Sequence, residues 1–372
     1  MNLDFTSEQN MLRKSVAEFL TKECPPETVK EIEDSEEGFD KKHWKKMAEL
    51  GWMEVFYPEA YGGYGDPFMD VMIIMEEMGK TTFPSPFFST VIQCGLVILE
   101  GGSEDQKKAL LSKIASGKLI MALAQYEEEV NYQESGITMP AEAAGDQYVL
   151  NGTKMFVMDA NIADKLIVAA RIKDAGTTLF LVDAKAPGIT TSKMPSIGMD
   201  NCCEVVFKDV KVGKSDRVGD PGKGWEILER MFSKATIAKC AEMVGGCRAV
   251  IDMTAEYAKQ RVQYGKPIGG FQAIQHYMAN MLLGYDTASN YLYKVCWMAE
   301  EGMDVTKEVH ALKAHVNEQY KFISERGVQI HGGVGTTREF NVGLYYRRAK
   351  ASEYILGDSE YHWEKLAVSL GM

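Results

Sequence analysis

The 372-residue chain has no apolar run approaching the roughly 20 residues of a membrane helix. It also lacks a surplus of positive charge. Its 41 Lys and Arg stand against 53 Asp and Glu, a formal net charge of -12. Nucleic-acid binders need clustered cations to neutralise phosphates, so the balance argues against that class. No GxGxxG follows an apolar strand and no GxxxxGK(S/T) occurs, which argues against Rossmann and P-loop nucleotide sites. The six histidines form no HxxxH pair, and the seven cysteines form no CxxC pair. No metal is therefore expected, and the odd cysteine count predicts reduced, mostly buried thiols. The first residues show neither the basic nor the apolar region of a signal peptide, so a cytoplasmic location is expected.

The chain is long enough for two or three domains and a large core. Residues 1–117 read as helical. Thr6-Ser7-Glu8-Gln9 is an N-cap region, after which Met11, Leu12, Val16, Phe19 and Leu20 follow at helical spacing. Trp44, Met47, Leu50 and Trp52 mark a second amphipathic stretch, and Tyr57 to Gly65 is loop by composition. Further helices are expected near 67–80, 88–101 and 104–117. Residues 118–221 change character. Short apolar runs at 120–124, 148–150, 166–170, 179–182 and 204–207 are separated by turns such as Leu150-Asn151-Gly152 and Ala186-Pro187-Gly188. That pattern predicts an antiparallel barrel or sandwich. Residues 222–372 are helical again, with long periodic segments near 224–262, 268–300, 304–330 and 340–350. Ile274, Met278, Met281, Leu282 and Tyr285 form a stripe expected to be bundle core.

Two stretches in the last region carry chemistry. Arg261 to Gln272 (Arg-Val-Gln-Tyr-Gly-Lys-Pro-Ile-Gly-Gly-Phe-Gln) and Gln329 to Gly335 (Gln-Ile-His-Gly-Gly-Val-Gly) each set polar side chains beside glycines at a helix boundary. Arg261 can fork onto a diphosphate, Gln272 and Gln329 can bond ribityl and adenosine oxygens, and Gly332 and Gly333 permit close backbone approach.

In this order, the two stretches resemble the flavin-binding C-terminal domain of acyl-CoA dehydrogenases. The resemblance covers the whole chain. Leu3 to Gln9, Leu50-Gly51-Trp52, Pro58 to Gly63 and Tyr148 to Lys154 look like the family's opening, its helix-to-loop marker and its β-domain hairpin. It implies an α+β multidomain fold: an N-terminal helical domain, a middle antiparallel β-barrel and a C-terminal four-helix bundle. It also implies FAD, with Arg261, Gln263, Tyr264, Phe271, Gln272, Gln329, Gly332 and Gly333 reaching the cofactor across a subunit interface. Phe156, Met158, Tyr126 and Glu127 stand where the family lays strands and a loop against the flavin. The implied reaction is oxidation of an acyl-CoA between Cα and Cβ, with electrons passed to an electron-transferring flavoprotein. The implied assembly is a homotetramer or heterotetramer.

Departures from the family pattern are confined to the chemistry beside the flavin. The family's glutamate base stands in a Tyr-Glu-Gly-Thr turn, where this chain has Ile355-Leu356-Gly357-Asp358. A less common arrangement puts the base at the position of Ala235. Neither Leu356 nor Ala235 can take a proton. Glu242 lies two turns after Ala235 on nearly the same helix face, about 20° off and roughly 10 Å further along. Set in an apolar stretch, it is a base or substrate contact, or else a buried ion pair with Arg248 or Lys239. Asp358 is a cofactor or substrate contact, a base, or the N-cap of a last helix. Met158 replaces the threonine that bonds flavin N5, leaving only its backbone N–H, and Phe156 keeps an aromatic wall. These changes resemble a divergent branch of the family that acts on bulky, cyclic or otherwise non-linear acyl groups, some of whose members pair unlike subunits. In that branch Phe87, Phe88 and Thr90, with Ala235 and Leu356, shape the acyl pocket. The expectation is an FAD-dependent acyl-CoA dehydrogenase that forms a 2-enoyl-CoA. Its alternatives are a partner subunit without its own base, or an oxidase, reductase or monooxygenase of the same fold.

Overall fold

The computed structural model describes residues 5–65 and 67–372, in the order helical, β, helical. First come α1 (Ser7–Glu23), α2 (Pro26–Asp34), α3 (Lys41–Glu49) and α4 (Phe68–Thr81). A π-helical segment (Phe87–Cys94) then runs into α5 (Gly95–Gly101), followed by α6 (Glu104–Ala115). Thr6 caps α1 as expected: its hydroxyl accepts from the Gln9 N–H while the Gln9 side chain accepts from the Thr6 N–H. The helix expected at 88–101 is π-wound over its first half, a winding that is rare outside functional sites.

The middle region contains β1 (Met121–Ala124), β2 (Pro140–Ala144), β3 (Gln147–Met158), β4 (Lys165–Ile172), β5 (Gly176–Asp183), β6 (Ile189–Lys193), β7 (Cys202–Gly213) and β8 (Arg217–Val218). They form one sheet ordered β6-β7-β3-β2-β4-β5-β8, with β1 also on β4. Among the described residues its pairs are antiparallel except β1–β4 and β2–β4, which are parallel. Leu150-Asn151-Gly152 is not a turn. It is an irregularity inside β3, where the register against β7 slips and Gly152 takes φ +149°. The β2–β3 hairpin turns instead at Gly145-Asp146, between the paired Ala144 and Gln147. Asn-Gly is a strong turn signal, but the long pairing of β3 with β7 overrides it.

The last region holds α7 (Gly224–Gln260), a small hairpin of β9 (Val262–Gln263) and β10 (Lys266–Pro267), α8 (Gln272–Glu300), α9 (Thr306–His331), α10 (Val342–Tyr354) and α11 (Ser359–Ser369). Of the stripe on α8, only Met281 is fully buried. Ile274, Met278 and Tyr285 are half-buried, and Leu282 and the neighbouring Leu283 are exposed. The helix packs on α7 and α9 along one edge, so the rest of the stripe faces outward.

Two apolar cores result. One is shared by the helices before and after the sheet, and the other lies within the sheet. Strands β1 and β4 serve both: Met121, Leu123, Ile167 and Ala169 face the helical core, while Ala122, Ala124, Leu166, Val168 and Ala170 face the sheet core. Their uninterrupted apolar runs follow from burial on both faces.

Helices α4 and α7 cross at backbone contact. A Cβ on Gly79 would lie 1.9 Å from the Glu242 carbonyl oxygen, and one on Gly245 would lie 1.9 Å from that of Glu76. Backbone cannot move aside as a flexible side chain can. Gly245→Ala must therefore push the helices apart, at a cost of about 1–3 kcal/mol as overpacking. Urea unfolding should show the midpoint falling, and an unchanged midpoint would contradict this contact.

Candidate active site

The helix ends bring the two glycine-rich stretches together. The Arg261 N–H bonds the Tyr257 carbonyl at 2.8 Å. The Tyr257 ring stacks on His331 at 4.3 Å, and its hydroxyl donates to the His331 carbonyl at 3.2 Å. Arg261 at the end of α7 therefore sits near Gly332-Gly333 at the end of α9. Gly332 takes φ +67°, and a Cβ on either glycine would meet nothing within 4 Å. Arg261, Gln263, Gln272 and Gln329 are exposed, and Tyr264 is 94% exposed at the tip of the β9–β10 hairpin, edge-on to the half-buried Phe271. Arg261 has no ion-pair partner among the described residues. An unpaired guanidinium, amide side chains and bare backbone make a face suited to a diphosphate.

The end of β3 is irregular. Its register slips between Lys154 and Val157, and Phe156 and Asp159 take φ of 55° and 62°. Left-handed backbone at non-glycine residues is costly and clusters at functional sites. The bulge turns Phe156 outward and leaves Met158 half-buried. Lys154, fully buried, donates to Glu127 Oε1 at 2.8 Å and to the Gln125 carbonyl at 3.1 Å. Glu127 also accepts from the Thr138 and Met139 N–H groups and from the Thr138 hydroxyl. Burial works against this carboxylate, yet Lys154 and the Thr138 and Met139 donors hold its pKa below the ordinary value. Glu127 thus pins the loop after β1. Tyr126 in that loop lies edge-on to Tyr132, whose hydroxyl donates to the Tyr354 carbonyl at 3.1 Å.

The C-terminal turn is held from below. Leu356 is buried at φ +62°, followed by Gly357 at +111°. Lys313, fully buried, donates to Asn317 Oδ1 at 2.6 Å and to the carbonyls of Ser352, Glu353 and Gly357 at 3.0, 3.1 and 3.3 Å. Burial pushes its pKa down to about 8. Asp358 caps α11: its Oδ1 accepts from the Tyr361 N–H at 2.8 Å, so this carboxylate serves a helix N-terminus.

Two cavities flank these elements. The larger, about 790 Å³, lies between the 125–135 loop and the first turns of α7, α9 and α11, with Tyr126, Tyr132, Phe232 and His310 in its wall. The smaller, about 60 Å³, is lined by Phe88, Met158, Asp159, Asn201, Lys239, Glu242 and Ile355, among others. Glu242 pairs with Lys239, not Arg248: Lys239 Nζ lies 2.5 Å from its Oε2 and 4.2 Å from the Phe88 ring centroid, while Arg248 binds Asp252. Asp159 accepts from Ser89 Oγ at 2.5 Å and from Asn201 Nδ2 at 3.2 Å. Phe87, Thr90, Ala235 and Leu356 are buried but line neither cavity. Thr90 instead bonds both backbone groups of Met121, tying the π-helical segment to β1. Sequence reasoning missed Asp159, Asn201 and Lys313 as parts of this neighbourhood, and took Lys239 only as a partner for Glu242. A lysine three residues before a glutamate in an apolar helix was a legible pair. Asp159 and Lys313 gain their roles from contacts distant in sequence.

Burial pushes the Asp159 pKa up to about 6 from 3.8. A raised folded pKa means that Asp159 favours the fold below about pH 4, and that this contribution is lost as pH rises through 6. Asp159→Asn should therefore stabilise the protein at pH 7–8 by about 2–3 kcal/mol and have little effect near pH 4. Thermal melts across that range test it, and a gain independent of pH would contradict it.

Family comparison agrees across the chain. The acyl-CoA dehydrogenase N-terminal, middle and C-terminal domain descriptions match residues 6–118, 122–210 and 222–371. A probable acyl-CoA dehydrogenase, YngJ of Bacillus subtilis, is 33% identical, with 97% of each chain covered. The caffeyl-CoA reductase-Etf complex subunit CarC of Acetobacterium woodii is 30% identical, with 96% of each covered. The structure of butyryl-CoA dehydrogenase from Megasphaera elsdenii superposes with a TM-score of 0.93 at 29% identity, covering 100% of both chains. The chain belongs to the acyl-CoA dehydrogenase family of FAD-containing oxidoreductases that act on CH–CH bonds.

Proposed function

We propose that this protein interconverts an acyl-CoA and its 2-enoyl-CoA, with Glu242 handling the α-proton. The observation that supports this reading is the small cavity in which Met158, at the end of the flavin-side strand, and Ile355, in the C-terminal turn, meet Glu242 and Lys239. FAD, when bound, supplies the hydride acceptor. Arg261, Gln263, Tyr264, Phe271, Gln272, Gln329, Gly332 and Gly333 suit its diphosphate and adenosine end, while Phe156 and the backbone of Met158 suit its ring. The outward face of the first set and the apolar stripe on α8 fit a site completed between copies, as in a tetramer. Electron exchange with an electron-transferring flavoprotein belongs to the same reading, in line with the Etf complex named for CarC.

The large cavity lies within the range of small-molecule sites and has room for the carrier arm of a bulky or cyclic acyl-CoA, whose Cα has to reach Glu242 at the smaller cavity. Removing an α-proton requires a carboxylate shielded from water, and the Glu242 side chain is about three-quarters buried. The same groups serve both directions, so a reductive role like that named for CarC uses this site unchanged. Glu242→Gln should lower turnover about 10²–10⁴-fold while leaving the flavin bound. Near-normal turnover with an unaltered pH profile would remove Glu242 from the role.

A second reading rests on the two buried apolar residues at the family's base positions, Leu356 and Ala235. In it the chain is the base-less partner in a heteromeric dehydrogenase. Turnover by the purified chain alone excludes this reading, and activity that appears only on mixing with a sister chain establishes it.

A further inference from the structure

The large cavity ends on a pair of histidines to which the reading above gives no role. His362 is fully buried in α11, stacked on Phe232 with ring centroids 6.0 Å apart. Its Nε2 lies 3.0 Å from the Leu356 carbonyl oxygen, and its Nδ1 lies 2.9 Å from Nδ1 of His310. These partners fix the protons. A carbonyl only accepts, so His362 Nε2 carries hydrogen. Burial, with Lys313 and His310 nearby, depresses the His362 pKa to about 2, so the ring is neutral and its Nδ1 is a bare acceptor. Two Nδ1 atoms at 2.9 Å share one hydrogen, which must then sit on His310. His310 is neutral as well, its pKa lowered to about 4 by burial and by Lys365. Its Nε2 is therefore an unprotonated acceptor.

His310 forms part of the large cavity's wall, together with Trp225, Phe232, Tyr361 and Lys365. Its ring has no hydrogen bond other than the one to His362 among the described residues. The relay from the Leu356 carbonyl through His362 thus ends in a lone pair of fixed orientation in the cavity wall. A neutral acceptor of this kind suits an N–H donor, and it carries no charge to repel a nearby phosphate.

We propose that His310 Nε2 accepts a hydrogen bond from an amide N–H of the pantetheine arm of coenzyme A, with His362 as the positioning residue that sets its tautomer. This proposal rests on the acyl-CoA reading above. It gives the cavity a contact to the carrier rather than to the acyl group.

Calorimetry of the FAD-loaded protein with coenzyme A tests the proposal without turnover. His310→Phe should weaken coenzyme A binding about tenfold, because a donor is left unpaired. It should leave the affinity for adenosine 3′,5′-bisphosphate, which has no pantetheine amide, unchanged. His310→Gln, which keeps an acceptor oxygen near the ring's far edge, should recover most of the loss. In protein labelled with ¹⁵N-histidine, the unprotonated His310 nitrogen should shift on adding coenzyme A and not on adding the bisphosphate. Equal binding of coenzyme A by wild type and His310→Phe overturns the proposal and leaves the functional reading intact. Equal weakening by the Phe and Gln variants, or weaker bisphosphate binding as well, shows a merely structural histidine and also overturns it. Failure of the wild type to bind coenzyme A at all removes the functional reading, and the proposal with it.

Discussion

The burial of β1 and β4 on both faces is the constraint on which the rest of this molecule depends. Their odd and even residues fill two different cores, so the sheet cannot shift against the helices without exposing apolar surface on one side. Everything assembled at the seam inherits that rigidity. The loop after β1 carries Tyr126 and Glu127, and Thr90 ties the π-helical segment to β1 itself. The left-handed positions Phe156, Asp159 and Leu356 lie at the end of β3, just after it and in the C-terminal turn. Local strain of this kind persists only where the surroundings over-determine it.

Charge placement divides the site into two halves of different character. The face proposed for the diphosphate is exposed, and Arg261 there has no ion-pair partner among the described residues. The inner half is buried and holds two ion pairs, Lys154 with Glu127 and Lys239 with Glu242, while Asp159 is met by Ser89 and Asn201. Lys313 has no carboxylate ion-pair partner among the described residues and is satisfied by three backbone carbonyls and an amide. Breaking such a buried pair by removing one member is costly, which explains why the inner half is built from reciprocal contacts.

Much of this was legible in the sequence, for identifiable reasons. Element order followed from periodicity, and the cap of α1 from Thr6 and Gln9. The placement of Arg261, Gln272, Gln329 and the paired glycines at helix ends was also readable, because glycine breaks and helix boundaries are local signals. The Asn151-Gly152 turn and the core assignment of Leu282 failed because long-range pairing and outward packing decided them. Asp159 was opaque for a similar reason: its burial is created by Ser89 and Asn201, from segments distant in sequence. The N-cap role of Asp358 was readable as one of several options, and the structure shows that cap.

The outward-facing glycine cradle has a consequence for how the holoprotein forms. A cofactor held at its ring by one copy and at its diphosphate by another, as proposed above, would link subunit association to loading. Cofactor occupancy then depends on protein concentration as well as on free flavin, and each binding event strengthens the other by mass action. Dilution would strip cofactor and dissociate subunits together, so the colour of the solution would serve as a gauge of assembly.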